Sequence, residues 1–220
     1  MPGLAHYCEH LLFMGSAQFP QENAYSEFIQ AHGGGTNAWT AATNTNYFFS
    51  IGADHLSGAL QRFSGFFHSP LFDASCTTRE LKAVNSEHKK NAQNDMWRTF
   101  QVSKALSRPG HPYTKFGSGN LHSLTYAGRM MEKQLDLTSE SAPTQGSINN
   151  VPAAASDDPE ISLQGEDGGI VGRETRRRLV EWWETHYSAS KMNLAIIGKG
   201  LKYLIMARST PDVSQTHSMI

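Results

Sequence analysis

His6-Tyr7-Cys8-Glu9-His10 decides what this chain is built around, and the rest of the sequence is arranged about it. At 100° per residue, His6 and His10 lie about 40° apart on one face of a helix, with Glu9 beside them. Two imidazoles one turn apart can hold one tetrahedral zinc ion. A neighbouring carboxylate that does not bind the metal can take a proton from an activated water. Cys8 points elsewhere, about 200° from His6, and reads as a small buried thiol. The competing structural reading is two hydrogen-bonded histidines on a helix, because histidine is often partly buried without binding metal. Chance is a weak competitor, since composition alone gives roughly 0.02 expected occurrences of the pentapeptide.

Working outward, Leu4, Ala5, Leu11, Leu12 and Phe13 surround the motif, with Pro2 near the start and Gly15 as a stop; residues 3–14 are predicted to form a short, mostly buried helix. A second helix is expected over Gln21–Ala31, ended by Gly33-Gly34-Gly35. Residues Thr36–Ile51, with Asn44-Thr45-Asn46 at their centre, read as a strand or hairpin. Leu56, Ala59, Leu60, Phe63, Phe66 and Phe67 fall at helical spacing up to Pro70. Thr77-x-x-Glu80 has the form of a capping box, so a long helix is predicted from Thr77 to Leu106, before Pro109. Leu179, Val180, Trp183 and Tyr187 mark a further helix, and Met192–Ile197 reads as a strand. Such alternation is that of an α/β chain of the α+β two-layer kind, with helices packed on a mostly antiparallel sheet.

A catalytic zinc site needs a third protein ligand and an open fourth position. Glu80 and Glu87 are seven residues apart and share a face of the long helix, about 20° from alignment. Either can be the third ligand. The bland role of Glu80 is the capping box, and that of Glu87 is a pair with Lys90. Two carboxylates also allow one to bind metal and the other to orient a ligand.

The chain has 220 residues, with 19 Lys and Arg against 20 Asp and Glu and 39% hydrophobic residues. A formal charge of −1 provides no basic surface for a phosphate backbone, so nucleic-acid binding is disfavoured. No apolar run is long enough to span a membrane, and Met1-Pro2-Gly3-Leu4 lacks the features of a secretory leader. Two cysteines, Cys8 and Cys76, do not make a disulfide framework, which points to a reducing, cytoplasmic setting. Ser139–Gly169 holds six acidic residues, no Lys or Arg and no aromatic; we expect a disordered acidic insertion over residues 135–171.

Pro2 to His10, continued by Leu11-Leu12-Phe13-Met14-Gly15-Ser16, resembles the inverted-zinc-motif (HxxEH) metallopeptidases of the pitrilysin family, in the insulin-degrading (insulysin) branch and close to its fungal a-pheromone-processing type. The resemblance continues through Phe19–Tyr25, His32-Gly33-Gly34, Asn37-Ala38-Trp39-Thr40, Asn46–Phe49, Ser86–Asn91, Asn94–Arg98 and Lys115–Asn120. It covers residues 2 to about 126 and resumes over about 172–199. It implies a Zn²⁺ cofactor held by His6, His10 and Glu87, with Glu9 as general base and Glu80 orienting a ligand. It also implies peptide substrates held by strand addition beside Asn37, Ala38 and Trp39. The bland alternative for Asn37 is a turn or strand-end hydrogen bond.

Family members are several times longer and fold as four related domains in two halves. Their C-terminal half is therefore the implied partner. The expectation is a partial N-terminal catalytic domain, truncated at both ends: residues 1–134 with the zinc site, the insertion at 135–171, the remainder at 172–200, and a tail over 201–220 outside the resemblance. The alternative is an inactive fragment that only binds peptide or a partner half. The compartment implied is cytoplasmic, with mitochondrial and peroxisomal members in the family.

Overall fold

A computed structural model describes residues 1–139, 161, 163–199 and 207–208. Most of the acidic stretch and the tail expected from the sequence lie outside the described residues. The elements in chain order are α1 (Leu4–Leu12), α2 (Ala24–Ala31), β1 (Gly35–Thr40), β2 (Thr45–Ser50), α3 (Leu56–His68), α4 (Ala74–Asn91), α5 (Asp95–Ala105), α6 (Leu121–Ser139), α7 (Gly169–His186), β3 (Asn193–Leu194) and β4 (Ala207–Arg208). Helices dominate. The strands pair as two separate two-stranded sheets, the hairpin β1–β2 and the antiparallel pair β3–β4.

The chain divides into two compact units. The first comprises residues 1–11, 38–46 and 72–179. Its core takes Leu4, Tyr7, Cys8 and Leu11 from α1, at the i, i+3, i+4, i+7 spacing of one helical face, with Leu81 and Val84 from α4, Leu124 from α6 and Val171 and Leu179 from α7. Tyr7 donates its hydroxyl to the Thr77 carbonyl at 2.6 Å, which ties α1 to α4. Burial, and after it the charge of Glu80, pushes the Tyr7 phenol far up, so that it stays a neutral donor. α6 and α7 approach closely at Gly128, where a side chain would lie 2.7 Å from the Val171 Cα.

The second unit comprises residues 12–37, 47–71 and 180–220. Leu12, Ile29 and Ala59 are fully buried in it, beside an aromatic set in which Phe66 packs against Phe13 and Tyr25 with ring centroids 5.0 and 4.9 Å apart. Tyr47 and Tyr187 share a hydroxyl hydrogen bond of 2.6 Å. Aromatic side chains supply large apolar area with two torsions each, which suits a unit built from short elements.

The long helix expected over Thr77–Leu106 is two helices. α4 starts at Ala74, where the Asp73 carboxylate accepts from the backbone N–H groups of Ser75 and Cys76; Asp73 is the cap. Thr77 lies inside the helix with its hydroxyl on the Ala74 carbonyl, so Thr77-x-x-Glu80 is not a capping box. The chain turns at Ala92-Gln93, and Asn94 caps α5 by accepting from Met96 and Trp97. The hairpin turns over residues 41–44, closed by Ala41 N–H to the Asn44 carbonyl; Thr45 and Asn46, expected at its centre, already belong to β2. α6 (Leu121–Ser139) is a helix the sequence reading did not mark, and α7 begins at Gly169, ten residues before the first apolar residue that marked it. The strand expected at Met192–Ile197 is only Asn193–Leu194.

Candidate metal centre

Every member of the centre belongs to the first unit. α1 presents His6 and His10 one turn apart, with rings 4.7 Å between centroids and nearly perpendicular. α4 brings Glu87 to both. Its Oε2 lies 3.5 Å from His6 Nε2 and 3.4 Å from His10 Nε2, and one ligand atom from each residue falls within 4.8 Å of the others. Tetrahedral zinc with ligands at 2.0–2.2 Å requires edges of about 3.3–3.6 Å, so both measured edges match.

The outer nitrogens are held as a metal site requires. His6 Nδ1 lies 2.8 Å from the Ser118 carbonyl, which can only accept, so Nδ1 carries a proton and Nε2 is turned toward Glu87. His10 Nδ1 lies 3.1 Å from Glu80 Oε2. Glu80 thus meets a histidine from the middle of α4. Glu87 Oε1 accepts from Asn91, one turn further on, at 3.4 Å. Side-chain exposure is 14% for His6, 26% for His10 and 40% for Glu87, so among the described residues the cluster is most open on the Glu87 side.

Charge accumulates here. Burial opposes a proton on His10, but hydrogen bonds and charge from Glu80 and Glu87 outweigh it and push its pKa up to about 9. The His10 hydrogen bond, against burial and aided by the charges of His6 and His10, holds the Glu87 carboxyl below its ordinary range. A histidine that holds its proton this firmly between two carboxylates marks a place for a cation, and the donor set of His6, His10 and Glu87 fits zinc.

Glu9 is 8% exposed, and its Oε2 accepts from the Thr40 hydroxyl at the end of β1. Thr40 in turn lies 3.1 Å from the Thr45 hydroxyl across the hairpin. Because Thr40 donates to Glu9, Thr45 must be the donor to Thr40. Asn37, Ala38 and Trp39 lie in sequence on β1, directly before Thr40, and Trp39 is 46% exposed. The sequence reading missed Ser118, Asn91, Thr40 and Thr45. Asn91 was findable, since it stands at i+4 from Glu87 on the same helix. Ser118 acts through its backbone, which leaves no trace in residue type. Cys8 and Cys76 are both buried and form no disulfide.

Comparison with known proteins gives the same residues a family. The family model for insulinase (Peptidase family M16) matches residues 1–110, half of the chain. The A-factor-processing enzyme of Saccharomyces cerevisiae is 59% identical over 124 residues, 56% of this chain and 12% of that protein. The insulin-degrading enzyme of Mus musculus is 39% identical over 199 residues, 90% of this chain and 16% of its own. The chain thus spans between 12% and 16% of the length of these two relatives. Among solved structures, the crystal structure of pitrilysin aligns with a TM-score of 0.51 at 40% identity, over 54% of this chain and 13% of that one. A family match over half the sequence, including the helix that carries both histidines, makes this chain a member of the insulinase family of peptidases, Peptidase family M16.

Proposed function

We propose that this chain carries the zinc centre of a metalloendopeptidase, with His6, His10 and Glu87 as ligands and Glu9 as general base. The observation that carries the reading is the convergence of His6 Nε2 and His10 Nε2 on Glu87 Oε2 at 3.5 and 3.4 Å, with both Nδ1 atoms already engaged elsewhere. The chemistry that a zinc ion supplies in such a site is Lewis acidity toward water and toward a peptide carbonyl, bringing the water's pKa to roughly 7.

The chain's own groups do the rest. Ser118 and Glu80 fix the two imidazoles, so that both Nε2 lone pairs face one point. Glu87 adds one negative charge, and its exposed side leaves room for water and substrate. Thr40 occupies Glu9 Oε2, which leaves Oε1 as the oxygen that accepts a proton from the attacking water. The same oxygen returns that proton to the leaving amine, as microscopic reversibility of acid–base roles allows. An extended peptide pairs with β1 beside Asn37, Ala38 and Trp39, which places its backbone along the strand that ends at Thr40. Peptides are the substrate class, the C-terminal half of a longer parent enzyme is the partner, and the compartment is cytoplasmic. No helix among the described residues is long and apolar enough to cross a membrane.

The test is zinc content and hydrolysis of a quenched peptide, measured on the unmutated chain, Glu9→Gln and Glu87→Gln. About one zinc per chain, kept in Glu9→Gln and lost in Glu87→Gln, with cleavage absent from both variants, is the expected result. Full cleavage by Glu9→Gln would sink the assignment. Zinc bound without any Glu9-dependent cleavage would favour the second reading, a chain that holds peptide without turning it over.

A further inference from the structure

His6 is aimed by a backbone carbonyl 112 residues away, so whatever holds the Ser118 carbonyl in place also sets the ligand. Ser118 lies in the short connection before α6, where no regular element fixes it. Two contacts do.

The first is backbone against backbone. Gly3 and Gly119 both adopt left-handed conformations, at φ +85° and +72°, and lie directly against each other. A side chain on Gly119 would place its Cβ 2.8 Å from the Gly3 Cα; one on Gly3 would lie 2.7 Å from the Gly119 nitrogen and 3.2 Å from the Ser118 carbonyl carbon. Glycine is required twice over, by conformation and by space. Gly3 is also where α1 begins, since its carbonyl accepts the Tyr7 N–H at 2.9 Å. A displacement of Gly3 therefore moves the first turn of α1, which carries His6.

The second contact runs to the other ligand helix. Asn120 and Ser123 cap α6 reciprocally, at 2.8 and 3.1 Å, and make the connection rigid. Leu121 N–H then donates to Asn85 Oδ1 on α4 at 3.1 Å, two residues before Glu87. On the α1 side, Ser123 reaches the Pro2 carbonyl at 3.1 Å. Residues 118–123 are thereby fastened to the start of α1 at both ends, through Gly119 and Ser123, and to α4 in between, through Leu121.

We propose that this segment is a bracket, and that the Gly3–Gly119 contact and the Asn85–Leu121 bond are positioning devices. They fix the His6 tautomer and the separation of the two ligand helices. Their metal-affinity consequence rests on the zinc reading above, whereas the tautomer consequence does not. Groups that orient a metal ligand typically account for 10–100-fold in affinity.

The test uses the whole chain and two readouts. Zinc dissociation constants are measured by competition with a chromophoric chelator, and the His6 tautomer by long-range ¹H–¹⁵N correlation in the metal-free chain. Gly119→Ala is compared with Gly110→Ala, because Gly110 is equally left-handed at φ +77° but an added methyl there would meet nothing within 4 Å. Gly119→Ala should weaken zinc about 10–100-fold and lose the protonated-Nδ1 signature, with Gly110→Ala near the unmutated chain on both. Asn85→Ala, which adds no bulk, should act in the same direction and decides the matter if Gly119→Ala fails to fold. Equal zinc affinity and an unchanged tautomer in Gly119→Ala and Asn85→Ala would overturn the bracket. An unmutated chain that binds no zinc but shows the locked tautomer, released by Gly119→Ala, would defeat the zinc reading and leave the bracket standing. Absence of the protonated-Nδ1 signature in the unmutated metal-free chain would refute the bracket whatever the zinc content.

Discussion

Replacing Thr40 by Val isolates the one side-chain hydrogen bond that the proposed base receives among the described residues. Valine keeps the branched shape and exchanges the hydroxyl for a methyl group, so packing at the end of β1 is nearly preserved. What is lost is a donor to a carboxylate that is only 8% exposed. Hydrogen bonds to charged groups contribute about 1.5–3 kcal/mol, against about 0.5–1.5 kcal/mol between neutral partners. Thr40→Val should therefore destabilise the chain by about 1.5–3 kcal/mol at neutral pH. At ~2–4 °C per kcal/mol for a chain of this size, that lowers Tm by about 3–12 °C. In the Glu9→Gln background the acceptor is neutral, and the same substitution should cost about 0.5–1.5 kcal/mol. Thr45→Val, which removes only the neutral Thr45–Thr40 bond of 3.1 Å, should match that smaller value. The assay is a double-mutant cycle by urea denaturation, with Thr40→Val and Glu9→Gln alone and combined. An identical effect of Thr40→Val in both backgrounds would show that its hydroxyl does not address the carboxylate, and the assigned geometry of the base would fall.

Two further outcomes follow from packing and charge elsewhere. Ile29 is fully buried in α2, and Ile29→Ala should destabilise by about 2–5 kcal/mol, read by urea denaturation; a loss under about 1 kcal/mol would mean that its surroundings are not packed as described. The Glu174 carboxyl is held at about 2, first by the Arg177 hydrogen bond, against burial, and then by Arg178. A depressed carboxyl stabilises the fold above its unfolded value of about 4.3, and the contribution disappears as pH falls through about 2. Stability of the unmutated chain should therefore drop across that window more steeply than in Glu174→Gln, and parallel curves would contradict the pairing.

Much of the centre was legible because a helix converts spacing into direction. His6 and His10 had to share a face of α1, and Glu80 and Glu87 a face of α4, once both segments were helical. What spacing left open was which carboxylate faces both histidines, since both project the same way. The structure separates them by reach, with Glu87 on both Nε2 atoms and Glu80 on one Nδ1. The break between α4 and α5 was misread because Thr77 and Glu80 imitate a cap, while the operating caps, Asp73 and Asn94, stand next to ordinary helix formers. The Ser118 carbonyl was beyond reach for a different reason. It is a backbone group, and its partner is fixed by a contact between two glycines that are 116 residues apart, a relation no local pattern encodes.

The same geometry makes zinc and a proton rivals for one atom. In the metal-free chain His10 holds its second proton up to about pH 9, because Glu80 and Glu87 outweigh the effect of burial. An unfolded histidine releases that proton near 6.5. A raised pKa stabilises the metal-free fold fully below about 6.5, and this contribution is lost as pH rises through about 9. Zinc requires the Nε2 lone pair, so below about pH 9 each ion bound must expel the proton. Apparent zinc affinity should climb by at least about tenfold per pH unit as pH rises toward about 9 and level off above it, as measured by chelator competition at fixed ionic strength. Glu80→Gln removes one of the two carboxylates that retain the proton, so its curve should level off at lower pH even if its plateau is weaker. An affinity that stays flat from pH 7 to 9 would mean that His10 is already neutral there and that the Glu80 and Glu87 contacts do not act on it as the distances imply.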